Sequence, residues 1–260
     1  MRKETEEKLA CSLTAETTEL LPFLPYLLQD LWELGSNPRD ILKLMKKHMP
    51  LTANTRLLDL ACGKGAVSIN IAKELGLHVS GFDLIPEFVE YSRRKADEMG
   101  VGLLCCFACG DVNEVVNTEK NYDAVVFGAA GNVLGTPAET LAKLRSVVKP
   151  KGYIIIDEAY LPGDVSNDDV SYKNYEYLTH KQWLGLFESH GLALVEELTS
   201  VEDYDFESDN KAIAARAHEL STKHPEKRAI FEGYVQSQLN ECDDLENNII
   251  AVTWMLQRIS

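Results

Sequence analysis

From residue 56 onward, short apolar runs alternate with helix-like segments, and this alternation most constrains the fold. The runs are strand-sized, and the segments between them include apolar residues three or four apart, which is typical of amphipathic helices. The five runs are R-L-L-D-L-A (56–61), H-V-S-G-F-D (78–83), G-L-L-C-C-F-A-C (102–109), Y-D-A-V-V-F (122–127) and Y-I-I-I-D-E (153–158). Strands joined through helices pair in parallel, so the sequence predicts an α/β fold with a doubly wound parallel sheet.

Further helices and strands are predicted on both sides of this region. The apolar segment 20–34 predicts one helix that ends at Gly35, and Asn37 followed by Pro38 predicts the start of the next. Capping boxes at Thr136 and Thr179 predict two more helix starts. A sixth and a last strand are predicted at L-A-L-V-E-E-L (192–198) and N-I-I-A-V-T-W-M-L-Q-R-I (248–259).

The charge of the chain argues against a nucleic-acid ligand. Its 260 residues carry a formal net charge of −15, whereas proteins that bind nucleic acids usually present a basic surface. No apolar run approaches the roughly 18 residues of a membrane span, and the start M-R-K-E-T-E-E-K lacks the apolar core of a secretory signal. Six unevenly spaced cysteines indicate free thiols and a cytoplasmic location. We therefore expect neither nucleic-acid nor membrane binding.

Glycine and acidic residues stand at the predicted carboxyl ends of the first three strands. The first strand continues into A-C-G-K-G (61–65), whose two glycines let the backbone turn sharply and approach a ligand. Asp83 ends the second strand, where a carboxylate can accept hydrogen bonds from both hydroxyls of a ribose. After the third strand, the Asp111 carboxylate can accept from an exocyclic amine and the Val112 amide can donate to a ring nitrogen. Because these strand ends meet at one edge of a parallel sheet, they together predict a nucleoside site.

The strings D-L-A-C-G-K-G (59–65), G-F-D-L (81–84) and G-D-V (110–112) resemble the nucleotide-binding half of class I S-adenosylmethionine-dependent methyltransferases. The resemblance covers about residues 50–160, and the first string is quite specific to the family. It implies a seven-stranded Rossmann-like sheet with an antiparallel last strand, S-adenosylmethionine as cofactor, and methyl transfer as activity. We expect one domain over 1–260, divided into an N-terminal helical cap (1–50), a cofactor-binding half (51–160) and a substrate-side half (161–260) with a helical insertion (203–245).

The resemblance also implies which residues bind the cofactor. They are Asp59, Ala61, Cys62, Gly63, Gly65, Asp83, Leu84, Asp111, Val112, Phe127 and Gly128. A carboxylate inside the first strand costs several kcal/mol unless polar groups solvate it. Asp59 would therefore order the glycine loop and meet the cofactor's ammonium group, directly or through water. Leu84 would pack on adenine, and Phe127 and Gly128 would lie near the sulfonium.

Two alternatives remain open. A nicotinamide-dependent oxidoreductase has the fingerprint G-x-G-x-x-G/A, but the third position here is Ser68, and Asp59 would repel a pyrophosphate. A non-catalytic cofactor-binding or regulatory protein on the same fold would fit if the pocket beyond strands four and five were closed or lacked polar anchors.

The methyl acceptor is less constrained, because the cofactor carries the reactivity and the protein supplies alignment. The chain has neither the Asn/Asp-Pro-Pro-Tyr/Phe string of amino-methylating DNA enzymes nor the Pro-Cys nucleophile of cytosine C5 enzymes. Metal-dependent catechol methyltransferases have carboxylates after both the fourth and the fifth strand, whereas here only the fifth of these two is followed by them, as Asp157 and Glu158, so we expect no metal site. We expect transfer to an O, N or S atom of a small molecule, with a protein side chain as the alternative acceptor, and Glu158, Tyr160 and His180 are the candidate catalytic residues.

Two segments outside the shared core carry aromatic residues, and we expect them to cover the pocket as a lid. These residues are Tyr26 and Trp32 in the cap, and Tyr204, Phe206, Phe231 and Tyr234 in the insertion. Cys106-x-x-Cys109 has metal-binding or redox spacing, but residues three apart on a strand point to opposite faces. We therefore expect no thiol site there.

Overall fold

The computed structural model describes residues 3–199 and 205–260, and these residues contain a seven-stranded sheet. The strands are β1 (Arg56–Leu60), β2 (His78–Asp83), β3 (Cys105–Cys109), β4 (Tyr122–Gly128), β5 (Val148–Tyr160), β6 (Leu192–Leu198) and β7 (Ile250–Arg258). Their order across the sheet is β3-β2-β1-β4-β5-β7-β6, and only the pairs made by β7 are antiparallel within these residues. The predicted doubly wound sheet with an antiparallel last strand is confirmed.

Helices cover both faces of the sheet. They are α1 (Lys3–Ser12), α2 (Leu24–Leu27), α3 (Pro38–His48), α4 (Ala66–Leu75), α5 (Pro86–Glu98), α6 (Val112–Thr118), α7 (Pro137–Val147), α8 (His180–Ser189), α9 (Phe206–Lys223) and α10 (Arg228–Asn247). Side chains alternate between the faces of a strand, so Leu58 packs in the layer with Leu144 of α7, whereas Leu57 packs in the layer with Ile71 of α4. The sheet is therefore buried on both sides, as its apolar strands predict.

The carboxyl ends of the central strands meet along one edge of the sheet. Leu60 of β1 pairs with Phe82 of β2 and Phe127 of β4, and Gly128 pairs with Asp157 of β5. The strand order reverses between β1 and β4, and ligands of doubly wound sheets bind in the crevice at such a point. This edge therefore positions the candidate site.

The predicted helix caps are present. The side chain of Asn37 accepts a hydrogen bond from the Arg39 amide at 3.0 Å and caps α3. Thr136 and Thr179 begin α7 and α8, each with the full capping box. These short-range signals thus set the start of three helices correctly.

Segment 20–34 does not form the single helix that its apolar composition predicts. Residues Thr18–Phe23 form a 3₁₀ helix, α2 lasts one turn, and the chain then turns irregularly towards Gly35. Pro22 and Pro25 account for the difference, because proline has no amide hydrogen to donate and its ring clashes with the carbonyl of the preceding helical turn.

This irregular segment packs on the helical insertion. Leu24 and Leu27 are fully buried in one apolar cluster with Ile213 of α9 and Phe231 of α10. The predicted insertion is thus present as α9 and α10, although Asp203 and Tyr204 lie outside the described residues. Within the described part of the chain, no helix has the length and apolar character needed to cross a membrane.

Candidate active site

The loop between β1 and α4 holds three residues in the left-handed region. Ala61, Gly63 and Gly65 have φ angles of 57°, 52° and 75°. A Cβ at Gly65 would lie 2.9 Å from Ser92 Oγ, so glycine is required there by space as well as by conformation. Ala61 holds the same conformation with a side chain, at a cost of about 1–2 kcal/mol. Strain of this kind concentrates at functional sites.

Asp83 fixes this loop against the end of β2. Its Oδ2 accepts a hydrogen bond from the Gly63 amide at 2.8 Å, and its Oδ1 accepts from the Ile85 amide at 2.9 Å. The carboxylate is buried, and burial raises its pKa, while these amide donors act in the opposite direction. Each oxygen keeps a second lone pair for another donor. Asp83 therefore organises the loop and still has acceptor capacity towards a ligand.

Asp59 lies behind the loop. Its side chain is buried, its Oδ2 accepts a hydrogen bond from Ser68 Oγ at 2.5 Å, and burial raises its pKa to about 7. Ser68, at the position where a dinucleotide fingerprint has glycine or alanine, is thus the partner of this carboxylate. The hydrogen bond joins β1 to the first turn of α4 and supports the loop from below.

A pocket opens above the loop, between α1 and the ends of β1 to β4; we call it the cofactor pocket. Seven of the predicted cofactor-binding residues line it, namely Ala61, Gly63, Asp83, Leu84, Asp111, Val112 and Gly128. Asp59, Cys62, Gly65 and Phe127 lie outside its lining, under the loop or in the core. The structure thus brings most of the predicted set to one place.

Asp111 has a second role besides the predicted contact with adenine. Its Oδ1 accepts a hydrogen bond from the Asn113 amide at 2.9 Å and caps α6. Its Oδ2 accepts from Thr5 Oγ1 of α1 at 3.5 Å. Thr5, Lys8 and Leu9 of α1 also line the cofactor pocket, and sequence reasoning missed them. The charged start of the chain gave no signal that this helix would close over the site.

Lys64, in the middle of the glycine loop, holds the segment before α3 over the site. The residue is 3% exposed, and its ammonium donates hydrogen bonds to the carbonyls of Leu28 and Leu31, each at 2.5 Å. In return, the Trp32 indole donates to the Lys64 carbonyl at 3.2 Å. Burial lowers the pKa of Lys64 to about 8. Three hydrogen bonds thereby join the N-terminal cap to the glycine loop, two donated by Lys64 and one donated by Trp32.

A second, larger cavity of about 290 Å³ adjoins the cofactor pocket; we call it the acceptor cavity. Residues from α1, the 28–40 segment, the end of β5, loop residues 172–177, α9, α10 and β7 line it. It shares the walls Ser12, Leu13, Leu34 and Ala129 with the cofactor pocket. Ala129, which follows β4, has a φ of 48° and is the second alanine at this edge in a strained conformation.

A family model described as a methyltransferase domain matches residues 51–211, which contain the sheet edge, the glycine loop and most of the cofactor pocket. The chain belongs to this methyltransferase domain family. The predicted family, the class I S-adenosylmethionine-dependent methyltransferases, is thereby confirmed for this domain.

Curated relatives of this methyltransferase match it over part of their length. YqeM of Bacillus subtilis is 34% identical over 106 residues, and the uncharacterized protein YjhP of Escherichia coli is 30% identical over 150 residues. The matches cover 39% and 55% of this chain, and 41% and 59% of those proteins. The chain thus spans about half the length of the curated relatives that it matches.

Solved structures share the fold of this methyltransferase over nearly its whole length. A SAM-dependent methyltransferase from Geobacter sulfurreducens, in complex with S-adenosylhomocysteine, superposes with a TM-score of 0.74 at 20% identity. The superposition covers 90% of this chain and 97% of that one. YjhP of Escherichia coli gives a TM-score of 0.72 at 18% identity over 89% and 97% of the two chains. At these identities the likeness shows the fold.

Of the three candidate catalytic residues, one lines the acceptor cavity. Glu158 follows Asp157 near the end of β5, and the Tyr175 hydroxyl lies 3.0 Å from both of its oxygens, which share the single hydrogen that this hydroxyl donates. Burial raises the pKa of Glu158 to about 7. Tyr175 stands in an irregular loop without periodicity, so the sequence gave no sign of this contact.

Tyr160 and His180 lie apart from both cavities. The Tyr160 ring packs 4.9 Å from the His180 ring and 6.1 Å from Trp254, measured between centroids. His180 Nε2 lies 2.8 Å from a carboxylate oxygen of Glu197 on β6. Neither residue lines the acceptor cavity or the cofactor pocket, which favours a structural role for both.

The cysteines give no sign of a metal centre. In residues 3–199 and 205–260, no three His, Cys, Asp or Glu side chains are arranged to hold a metal ion. Cys106 and Cys109 are exposed on β3, and Cys62 is buried beneath the loop, where burial raises the pKa of its thiol. All six cysteines are free.

Proposed function

We propose that this methyltransferase binds S-adenosylmethionine in the cofactor pocket and transfers its methyl group to an O, N or S atom of a small molecule in the acceptor cavity. The observation that carries the proposal is that the two cavities adjoin and share four wall residues. A donor in one cavity lies beside an acceptor in the other, as an in-line displacement requires.

The residues of the cofactor pocket fit the cofactor. Asp83 has free acceptor capacity for the ribose hydroxyls at the end of β2, and Leu84 offers an apolar surface for adenine. Asp111 and Val112 provide an acceptor and a donor for the adenine edge. Gly128 has no side chain, and a Cβ there would lie 1.9 Å from Ser36 Oγ, so cap and strand meet closely beside the pocket. Asp59 would act on the methionine end through the loop or through water.

The walls of the acceptor cavity favour an enzyme over a non-catalytic cofactor-binding or regulatory protein. The cavity is large enough for a small molecule, and Glu158 and Tyr175 provide polar anchors in it. The N-terminal cap, the sheet and the insertion all contribute walls, which supports both a lid that excludes water and one domain over residues 1–260.

The net charge of −15 favours a small molecule over nucleic acid as the methyl acceptor. A cytoplasmic location stays a prediction.

Calorimetric titration with S-adenosylmethionine and S-adenosylhomocysteine tests the proposal. We expect binding in the micromolar range, and we expect Asp83→Asn to weaken it by about tenfold or more because charged hydrogen bonds are lost. The matched control is Asp123→Asn, since Asp123 also accepts a backbone amide hydrogen bond, from Arg56 at 2.9 Å, but at the opposite edge of the sheet. Absent binding in the wild type, or equal weakening in both variants, would contradict the proposal.

A further inference from the structure

The acceptor cavity is strongly acidic. Among the described residues that line it, six carry carboxylates and one carries a positive charge. The carboxylates belong to Glu33, Asp40, Asp157, Glu158, Asp209 and Glu241, and the cation is Arg39. A cavity with this charge balance disfavours an anionic ligand and favours a cationic one.

Three of these carboxylates have only neutral hydrogen-bond donors. Glu158 accepts from the Tyr175 hydroxyl, Glu241 accepts from Thr14 Oγ1 at 2.5 Å, and Asp157 Oδ1 accepts from Thr253 Oγ1 at 2.5 Å. In the described chain, no lysine, arginine or histidine forms an ion pair with any of the three. Carboxylates removed from water in this way are stabilised by a cation that enters the cavity.

One polar group of the cavity wall, the hydroxyl of Tyr234, is 1% exposed and has no hydrogen-bond partner within the described residues. Asp157 on the same wall is 8% exposed, and Ser36 and the Asn37 amide lie on its carboxylate together with Thr253. Buried polar groups in folded proteins are nearly always paired, so the unpaired hydroxyl on the cavity wall indicates a ligand that forms a hydrogen bond with it.

Tyrosine rings complete the cavity. Tyr172, Tyr175 and Tyr177 line it from one loop, and Tyr234 lines it from α10. The Tyr175 and Tyr177 rings pack with centroids 4.7 Å apart and planes at 58°. Aromatic faces attract cations, and the attraction grows when water is excluded. Carboxylates combined with tyrosine rings are therefore suited to an organic ammonium group.

We propose that the methyl acceptor is an amine, bound as an organic cation between the Glu158 and Glu241 carboxylates and the tyrosine rings. This inference rests on the proposed function and narrows its acceptor from O, N or S to nitrogen. The acidic end of the cavity also lies beside the methyl donor, because Asp157 Oδ2 is 3.1 Å from where a Cβ on Gly128 would stand.

Glu158 is the group placed to receive the proton. The bound ammonium gives one proton to the Glu158 carboxylate, which exposes the nitrogen lone pair. The nitrogen then attacks the methyl carbon, the carbon–sulfur bond breaks, and its electron pair stays on sulfur. The products are the N-methylated ammonium and S-adenosylhomocysteine, and protonated Glu158 releases its proton to solvent.

The test compares cations with neutral molecules of the same shape. Calorimetry on the full chain, saturated with S-adenosylhomocysteine, would measure 3,3-dimethylbutylamine against 3,3-dimethylbutan-1-ol, and phenethylamine against 2-phenylethanol. We expect each cation to bind about tenfold or more tightly than its neutral isostere. We expect Glu158→Gln and Glu241→Gln to reduce this preference to about threefold or less.

Glu119→Gln is the matched control, because Glu119 also accepts a tyrosine hydroxyl, from Tyr122 at 2.5 Å, but lies outside both cavities. We expect it to keep the full preference. The inference is overturned if, in the wild type, a cation binds no more tightly than its neutral isostere, or if neither of them binds. This comparison does not depend on whether the variants fold. Retained S-adenosylhomocysteine binding then leaves the proposed function standing, whereas its absence removes the proposed function itself.

Discussion

Replacing Lys64 by methionine should release the N-terminal cap from the glycine loop and leave the sheet folded. The ammonium of Lys64 donates to the Leu28 and Leu31 carbonyls, which lie in the segment that covers both cavities. Hydrogen bonds to a charged group contribute about 1.5–3 kcal/mol each, so the two together contribute about 3–6 kcal/mol.

The free-energy cost of burying the charged ammonium offsets much of the stabilisation that the two hydrogen bonds provide. The fall in the pKa of Lys64 from 10.5 to about 8 corresponds to roughly 3 kcal/mol, at about 1.4 kcal/mol for each tenfold change in acidity. Methionine has a similar length and needs no desolvation of a charge. We therefore expect Lys64→Met to lower the free energy of unfolding by about 1–2 kcal/mol, which is a fall of a few degrees in Tm.

Urea unfolding measures the loss in the free energy of unfolding, and hydrogen exchange of the amides in residues 28–31 measures how far this segment is released from the glycine loop. We expect these amides to exchange about tenfold faster or more in Lys64→Met. Lys73→Met is the control, because Lys73 is exposed on α4 and its replacement should leave the exchange unaltered. Equal exchange rates in the two variants, or a loss of stability above about 4 kcal/mol, would refute the reasoning.

Two further predictions concern the same edge of the sheet. Gly128→Ala places a Cβ 1.9 Å from Ser36 Oγ, so we expect calorimetry to show about tenfold weaker binding of S-adenosylmethionine or more. Adding Ser36→Gly should restore most of the affinity, and a double variant no better than the single one would contradict this. Burial raises the pKa of Asp59 to about 7, so the folded protein keeps a proton that the unfolded chain loses near pH 4, and this stabilising contribution disappears as the pH rises to 7. Asp59→Asn should therefore reduce the fall in unfolding free energy between pH 5 and pH 8 by up to about 3 kcal/mol, and an unaltered slope would contradict it.

The strands could be predicted because their apolar runs are short and bounded by clear breaks. His78–Asp83 and Leu192–Leu198 begin and end where the sequence predicts. β3 begins at Cys105 instead of residue 102, because residues 101–104 form a turn in which the Leu104 amide bonds to the Val101 carbonyl at 2.9 Å. The apolar character of this turn resembles that of the strand, so hydrophobicity alone cannot locate the boundary.

The cofactor pocket was predicted more completely than the acceptor cavity. Asp83 and Gly63 belong to local strings, and the strand order brings such strings to one edge. Contacts between Lys64 and Leu28, or between Glu158 and Tyr175, join segments without periodicity. Their positions depend on packing between distant parts of the chain, which no local pattern encodes.

The reversed direction of β7 determines where new sequence can enter this fold. β6 runs parallel to β5, and β7 begins at Ile250 opposite Tyr160, so the connection between β6 and β7 both leaves and returns at the ligand edge. That connection contains α9 and α10, which line the acceptor cavity. We expect exchange of this connection between chains of the same topology to alter the shape and charge of the acceptor cavity and to preserve the register of β1 to β5. One wall of this cavity can therefore vary in sequence while the strands below the cofactor pocket stay unaltered.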